Sequence, residues 1–194
     1  MNYARANNLD FDPRPQLSRI FVEGFYIWLK SVNKDKAKLT RLFTHMFDLS
    51  LFYVAYENGQ IAAMAACTGG LSPVKLDRKQ FTQVLGWLRG IISYVILKRH
   101  MMNNNPPFTL SPETGLIEFV ATAPEYVRKG YCRALLSYVM DSQPFDAYML
   151  EVAENNFGAM ALYEKLGFKE IKRVSAPKRS GVGAYVYMRR SWDR

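Results

Sequence analysis

The sequence predicts an α/β fold in which a mixed sheet carries helices on its faces. Two stretches, Phe119–Leu136 and Leu150–Phe168, each read as a strand, a turn and a helix, and an Asn-Gly turn near residue 58 joins two apolar runs. The composition, 49% hydrophobic and 22% charged, is that of an ordinary globular protein. Because 194 residues can bury a core without disulfides, we expect one domain over residues 1–194.

The first third of the chain is predicted to form two helices and a hairpin. Apolar residues recur at helical spacing over Gln16–Val32 and Ala37–Phe47. Two strands follow, at Leu51–Glu57 and Gln60–Cys67. Asn58–Gly59 lies between them, and this dipeptide is the strongest short signal for a two-residue hairpin turn.

The segment 75–104 is predicted to be a helical insertion. Asp77–Met102 has one apolar stripe up to Gly90, after which apolar residues surround the helix axis. We therefore expect the second half to be covered on more than one side, or the helix to break at Gly90. Asn103–Pro112, with three Asn and three Pro, is predicted to be a loop.

The second half of the chain alternates strands and helices. Gly167 stands where a helix C-cap is expected, and a basic loop that contains glycine separates the last two strands. The predicted elements are a strand at Leu116–Thr122, a helix at Gly130–Ser142, a strand at Ala147–Val152, a helix at Asn156–Leu166, and strands at Lys169–Val174 and Ala184–Arg190.

Cysteine, histidine and hydropathy patterns exclude several classes of protein. Two cysteines (Cys67, Cys132) and two histidines (His45, His100) do not cluster, so we expect neither a disulfide framework nor a bound metal. The first residues lack the apolar core of a signal peptide, and the apolar run Gly90–Leu97 is too short to span a bilayer. A cytoplasmic protein without a membrane span is expected.

The net charge of +9 is concentrated in two segments. Residues 75–100 carry six basic and one acidic side chain, and residues 165–194 carry nine and two. Such segments can attract nucleic acid, an anionic membrane or a phosphorylated cofactor, or can simply be solvated. Because aromatic residues are not interleaved with the charges, nucleic acid is disfavoured as a partner except as part of an acceptor molecule.

The turn before the helix at Gly130 has the features of an anion site. Backbone N–H groups and the positive end of the helix dipole meet there, and Arg128, Lys129 and Arg133 add positive charge. Gly130 permits a close approach of the backbone. An ordinary solvated turn has the same composition, so the residues alone do not decide between the two.

Two motifs in this region resemble those of the GNAT N-acetyltransferase superfamily. APEYVRKGYCRALL is similar to the loop that binds the pyrophosphate of acetyl-CoA in that family, and ENNFGAMALYEKLGF is similar to its Asn-x-x-Ala-x-x-Leu-Tyr-x-x-x-Gly-Phe segment. The resemblance covers residues 114–174 and implies a mostly antiparallel sheet with helices on both faces. Val127 replaces the family's Arg or Gln, and Cys132 replaces its Gly or Ala, so we expect weaker cofactor binding.

The resemblance implies which residues bind acetyl-CoA. The backbone of the strand would hydrogen-bond the pantetheine arm, the turn and first helical residues would surround the pyrophosphate, and Asn156 would bind near the arm or cap its own helix. The implied cofactor-binding residues are Val120, Ala121, Thr122, Arg128, Lys129, Gly130, Tyr131, Cys132, Arg133 and Asn156.

Three residues are candidates for proton transfer. Tyr163 occupies the family position of the acid that faces the cofactor sulfur. Glu118 and Glu151 interrupt apolar strands, where burial raises a carboxyl pKa toward that of a general base. Alternation predicts that Glu118 shares a face with Val120 and Thr122. The general base can be Glu118, Glu151 or a chain of waters, and the sequence does not decide among them.

The predicted function is acetyl-CoA-dependent transfer of an acetyl group to a primary amine by direct attack. In the family the acceptor, a small molecule or peptide here, is bound by parts that correspond to Val22–Lys38, Asp77–Met102 and Arg173–Tyr185. The alternatives are a non-catalytic acyl-CoA-binding or regulatory domain and a basic nucleic-acid-binding protein. Homodimerisation and a longer acyl chain stay open.

Overall fold

Seven strands form one sheet in the order β1-β2-β3-β4-β5-β7-β6 in the computed structural model, which describes residues 1–102, 110–177 and 181–191. Neighbouring strands are antiparallel except β4 and β5, which are parallel. The mixed, mostly antiparallel sheet is therefore confirmed. The strands are β1 (Asn2–Arg5), β2 (Phe52–Glu57), β3 (Gln60–Thr68), β4 (Thr114–Thr122), β5 (Ala147–Ala153), β6 (Lys169–Ser175) and β7 (Ala184–Ser191).

The described residues form six α-helices, which lie on the two sides of this sheet. The predicted second helix ends at Phe43 instead of Phe47, because the chain turns there and Phe47 forms an isolated bridge with Val74. The helices are α1 (Arg14–Leu29), α2 (Lys36–Phe43), α3 (Arg78–Leu85), α4 (Trp87–Met102), α5 (Tyr131–Ser142) and α6 (Phe157–Lys165).

The hairpin β2–β3 forms where the sequence predicts it. Asn58 and Gly59 have φ angles of 50° and 73°, the two positive values that a type I′ turn requires. Strand β1, which the sequence pattern did not predict, pairs with β2 as an edge strand of four residues. Such a short strand gives too little alternation to be recognised.

Each face of the sheet has its own apolar core. One core joins α1, α2 and α3 to the sheet. Its aromatic rings pack edge to face: the ring centres of Phe21 and Phe43 are 5.1 Å apart, and those of Phe43 and Phe81 are 6.1 Å apart. The other joins α5 and α6 to the opposite side through residues such as Leu135 and Tyr163. We call these two sides of the sheet the α1 face and the α5 face.

The helical insertion breaks at Gly86. The sequence predicted either a break at Gly90 or a second half covered on more than one side, and both alternatives are wrong, because α4 continues through Gly90 and leaves Ile92 and Val95 exposed. Gly86 has a φ of 83° and separates α3 from α4. Gly90 lies inside α4, where the two helices approach so closely that an added Cβ would lie 2.6 Å from the Phe81 carbonyl oxygen. The glycine is needed for helix packing there. Most of the predicted loop Asn103–Pro112, at positions 103–109, lies outside the described residues.

We expect Gly90→Ala to lower the free energy of unfolding by about 1–3 kcal/mol, the usual cost of overpacking. The new methyl group would meet backbone atoms of Phe81 and Thr82, both at 2.6 Å. This cost exceeds the roughly 0.5–1 kcal/mol that alanine gains over glycine in a helix. Gly158→Ala in α6, where nothing lies within 4 Å of the new Cβ, is the matched control and should be neutral or stabilising. Urea unfolding of both variants checks this, and equal stabilities would contradict it.

Candidate active site

The parallel strands β4 and β5 separate halfway along their length. Their pairing runs from Thr114 with Ala147 to Ile117 with Leu150 and then ends, although β4 continues to Thr122 and β5 to Ala153. Beyond this point the facing edges of the two strands are not paired with each other. The sheet is therefore open at the carboxyl ends of its parallel strands, the usual place for a ligand in such sheets.

A β-bulge at Phe119 controls which side chains point into this opening. Ala66 pairs with Glu118 and Met64 with Ala121, so β4 has one residue more than β3 in this interval, and Phe119 has a φ of 52°. Phe119 packs in the core of the α1 face, where its ring lies 5.9 Å from that of Phe21.

The bulge overturns the prediction that Glu118 shares a face with Val120 and Thr122. Glu118 lies opposite Ala66, which belongs to the α1 face, whereas Val120 packs in the core of the α5 face. The extra residue at Phe119 interrupts the alternation on which the prediction depended. The Glu118 side chain therefore lies on the opposite face of the sheet from the side chain of Val120.

Glu118 and Glu151 lie in one small cleft at the point where β4 and β5 separate. The cleft, about 40 Å³ in volume, is large enough for a water molecule. Its apolar walls leave the two carboxylates and one phenol as the polar groups available for chemistry. It is lined by Leu116, Ile117, Glu118, Met149, Leu150, Glu151 and Tyr187.

Burial raises the pKa of Glu118 to about 7. The nearby charge of Glu151 raises it further, and a hydrogen bond of 3.4 Å from the Thr68 hydroxyl to the carboxylate opposes the shift. A carboxyl group that titrates near neutral pH can accept a proton and release it under physiological conditions.

Glu151 is held from the neighbouring strand by Tyr187. The two residues are directly paired across β5 and β7, and their side chains are hydrogen-bonded. Burial of the carboxylate in the cleft raises the pKa of Glu151, although other atoms of the residue are exposed, and the tyrosine hydrogen bond opposes this shift. Burial also raises the pKa of Tyr187. Tyr187 is a site residue that the sequence did not predict, since nothing in the pattern of β7 indicates which strand would lie beside it.

Tyr163 lies on the α5 face and is 6% exposed. Within the described part of the chain no group hydrogen-bonds its hydroxyl, and its ring packs 6.0 Å from that of Phe168. Burial raises the pKa of Tyr163, and the neighbouring Cys132 adds to the shift. The phenol is therefore protonated at neutral pH and has a free hydrogen-bonding group.

The turn before α5, which the sequence predicts as an anion site, contains two residues with positive φ. Arg128 and Gly130 have φ angles of 63° and 84°, and both are exposed. Lys129 N–H donates a hydrogen bond of 3.3 Å to the Tyr126 carbonyl oxygen and is not available to a ligand. The donors left at this turn are the first N–H groups of α5, which have no partner inside the helix. The side chain of Lys129 lies over the ring of Tyr126, with Nζ 5.4 Å from its centre.

Three of the predicted cofactor-binding residues have side chains that are already engaged. The Tyr131 hydroxyl donates a hydrogen bond of 2.9 Å to Glu57, so this residue offers its backbone N–H alone. Burial raises the pKa of the Cys132 thiol to about 11, which argues against a nucleophilic role. The Asn156 side chain accepts a hydrogen bond of 3.2 Å from Ala159 N–H and caps α6.

No metal centre is indicated in residues 1–102, 110–177 and 181–191, where no three His, Cys, Asp or Glu side chains are grouped suitably. Within the same residues, no helix is both long enough and apolar enough to cross a membrane. Both cysteines are free thiols.

Comparison with known proteins gives a family match over most of the chain. A model of the acetyltransferase (GNAT) family matches residues 15–168. An N-alpha-acetyltransferase of Saccharolobus solfataricus is 38% identical over 79 residues, 39% of this chain and 47% of that protein. A [ribosomal protein bS18]-alanine N-acetyltransferase of Escherichia coli K12 is 40% identical over 67 residues, 32% and 45% of the two chains. The chain thus spans about half the length of the curated relatives it matches.

Solved structures show the same fold at low sequence identity. An N-acetyltransferase from Staphylococcus aureus Mu50 superposes with a TM-score of 0.64 at 17% identity, over 92% of this chain and 95% of that one. The ribosomal-protein-S18-alanine N-acetyltransferase from Escherichia coli superposes with a TM-score of 0.55 at 18% identity, over 97% of this chain and 91% of that one. Identities this low carry the fold and no details of the site.

The raised pKa of Glu118 predicts a stability effect that can be measured without any substrate. Its pKa is about 7 in the folded protein, against 4.5 for an unperturbed glutamate. The contribution of Glu118 to folding is therefore complete below pH 4.5 and is lost as the pH rises through 7. Glu118→Gln should therefore raise the free energy of unfolding above pH 7 by on the order of 1–2 kcal/mol, after allowance for partial exposure, and should be neutral below pH 4.5.

Urea unfolding of wild type and variant at several pH values checks this expectation. Glu164→Gln, on the exposed side of α6, is the control and should show no comparable pH-dependent gain. A Glu118→Gln protein whose stability relative to wild type does not change between pH 4 and pH 8, roughly the range in which the carboxyl titrates, would contradict it.

Proposed function

Because this chain belongs to the acetyltransferase (GNAT) family, we propose that it transfers an acetyl group from acetyl-CoA to a primary amine. The observation that carries the proposal is the opening between β4 and β5. It has an anion-binding turn and Tyr163 on the α5 face, and two carboxylates with raised pKa on the α1 face. A thioester placed in the opening would face a phenolic hydrogen-bond donor on one side and a base on the other.

We place the cofactor on the α5 face. The edge of β4 at Val120, Ala121 and Thr122, which is not paired with β5, offers backbone groups to the amide-containing pantetheine arm, much as a neighbouring strand would. The pyrophosphate would lie against the turn Arg128–Gly130 and the first N–H groups of α5, at Tyr131, Cys132 and Arg133. Asn156 caps α6 through its side-chain oxygen, which leaves its amide nitrogen for the arm.

The two departures from the family motif affect this site unequally. Val127 is 52% exposed and supplies no polar group where the family has Arg or Gln, so one phosphate contact is lost. Cys132 is a small residue whose thiol is protonated and partly buried beside Thr122. Since the backbone donors of the turn are unaffected, binding is weakened and not abolished.

We assign the base to Glu118. Its pKa of about 7 lets it accept a proton from an ammonium group near neutral pH, and the cleft beside it accommodates a water for transfer over a short gap. The neutral amine then attacks the thioester carbonyl carbon, the carbon–sulfur bond breaks, and the proton lost by the new amide nitrogen ends on the sulfur. Tyr163 donates a hydrogen bond to the departing thiolate.

Glu151 is the rival base, and its fixed contact with Tyr187 suits a positioning role as well. A carboxylate held in place beside the opening would attract the acceptor ammonium and orient it toward the thioester. The names of the curated relatives, an N-alpha-acetyltransferase and a bS18-alanine N-acetyltransferase, favour an α-amino group of a peptide or protein as the acceptor.

Release of free CoA thiol over a panel of amines tests the proposed activity. We expect turnover with peptides that carry a free N-terminus and little with the same peptides acetylated. Tyr163→Phe should lower turnover by at least about tenfold while the affinity for acetyl-CoA holds, the usual range for a group that assists proton transfer. Tyr138→Phe, which removes a phenol from the same core, is the control. Saturable binding of acetyl-CoA without turnover on any amine would support the non-catalytic alternative.

The pH dependence of kcat/KM distinguishes the two carboxylates. The wild-type rate should rise with pH through about 7, the pKa of Glu118, because the base acts when ionised. Glu118→Gln should abolish this rise and lower the rate at pH 8 by about 10²-fold or more. Glu151→Gln should lower the rate but keep the rise. The reverse pattern would assign the base to Glu151.

A further inference from the structure

Helix α4 exposes a row of large apolar side chains to solvent. Leu88 is 64% exposed, Val95 60%, and Ile92 and Ile96 51% each. At 100° per residue these four positions fall on one side of the helix. Trp87, 74% exposed, lies at the N-terminal end of the row. We call these five residues the α4 stripe.

The opposite side of α4 is already packed against the protein. Gly90 contacts the backbone of α3, the ring of Tyr94 lies 5.8 Å from that of Phe81, and Leu97 and Met101 reach the core of the α1 face. The helix therefore cannot rotate the α4 stripe inward without losing these contacts. Its apolar surface faces away from the domain.

The α4 stripe is bordered by positive charges without acidic partners. Arg89 and Lys98 lie on its two flanks and Arg99 near its C-terminal end, while Arg78 and Lys79 are exposed on α3. Among the described residues none of these five side chains forms an ion pair. Between residues 78 and 112 the sequence contains no Asp or Glu at all.

We propose that the α4 stripe docks on the surface of an anionic lipid bilayer, with α4 parallel to the membrane plane. Apolar side chains enter the boundary between headgroups and acyl chains, and the flanking Lys and Arg bind the headgroups. Trp87 lies at the depth that indole rings prefer. The arrangement is peripheral and adds to the function proposed above without depending on it.

Charge and shape favour a bilayer over a protein as the occupant. In a two-fold contact between two copies of α4, the same basic residues would face one another and repel. An acidic protein partner would need a groove shaped to a projecting helix. A bilayer supplies negative charge above an apolar layer over any length of the helix, and it needs no preformed groove.

Sedimentation of the full chain with lipid vesicles tests the proposal. We expect binding to vesicles that contain phosphatidylglycerol and much weaker binding to pure phosphatidylcholine. Raising the ionic strength from about 0.1 M to about 1 M should weaken binding, because the screening length falls from about 10 Å to about 3 Å. The emission of Trp87 should shift to shorter wavelength on binding, and this shift should be absent in Trp87→Phe.

Matched variants separate the α4 stripe from the rest of the surface. Ile92→Ser should weaken binding by at least about tenfold, and Lys98→Glu by at least about fivefold. Ile171→Ser, which removes an apolar side chain 49% exposed on β6, and Lys169→Glu on the same strand are the controls and should bind as wild type does. Unfolding midpoints of all variants confirm that each is folded.

Three results would overturn the proposal. One is the absence of binding to phosphatidylglycerol vesicles, and another is an equal loss of binding in the β6 controls. The third is a dimer in sedimentation velocity that Ile92→Ser dissociates while vesicles are ignored, which would assign the α4 stripe to a second copy of the chain.

Discussion

The separation of β4 from β5 is the constraint on which the rest of this structure depends. Backbone N–H and C=O groups that are neither paired nor solvated cost free energy, so an opening inside a sheet needs a partner that can take their hydrogen bonds. An extended, amide-containing cofactor arm is such a partner. Because α5 follows β4 and α6 follows β5, the Gly130 turn and Tyr163 both lie near this opening, at one edge of the sheet.

The bulge at Phe119 causes neighbouring residues of β4 to present different functional groups on the two faces of the sheet. By adding a residue to β4, it directs Glu118 and Phe119 to the α1 face, while Val120 returns to the α5 face. Glu118 then lies in the same cleft as Glu151. Two nearby carboxylates disfavour each other's ionisation, so they titrate as a coupled pair, and the more buried member keeps its proton to higher pH. The sheet therefore places the proposed base on the face opposite the proposed anion site.

The sequence predicted the elements that local chemistry determines. The Asn58–Gly59 turn and the cap at Asn156 are specified by side chains within a few residues, and both are confirmed. The bulge at Phe119 has no such signal, because a positive φ at a bulky residue is imposed by packing between strands that are distant in sequence. The position of Tyr187 in the site depends on the register of β5 and β7, which pairs it with Glu151 and which the sequence does not predict.

The raised pKa of Tyr163 restricts what this residue can do for the leaving group. A free thiol has a pKa near 8.5 and a free phenol near 10, so full proton transfer from tyrosine to a thiolate is already unfavourable by about 2 kcal/mol. Burial raises the Tyr163 pKa and increases this cost. In the proposed reaction Tyr163 would therefore act by donating a hydrogen bond while the carbon–sulfur bond breaks. The proton that completes the thiol would come from the attacking nitrogen, which is more acidic once it is bonded to the carbonyl carbon.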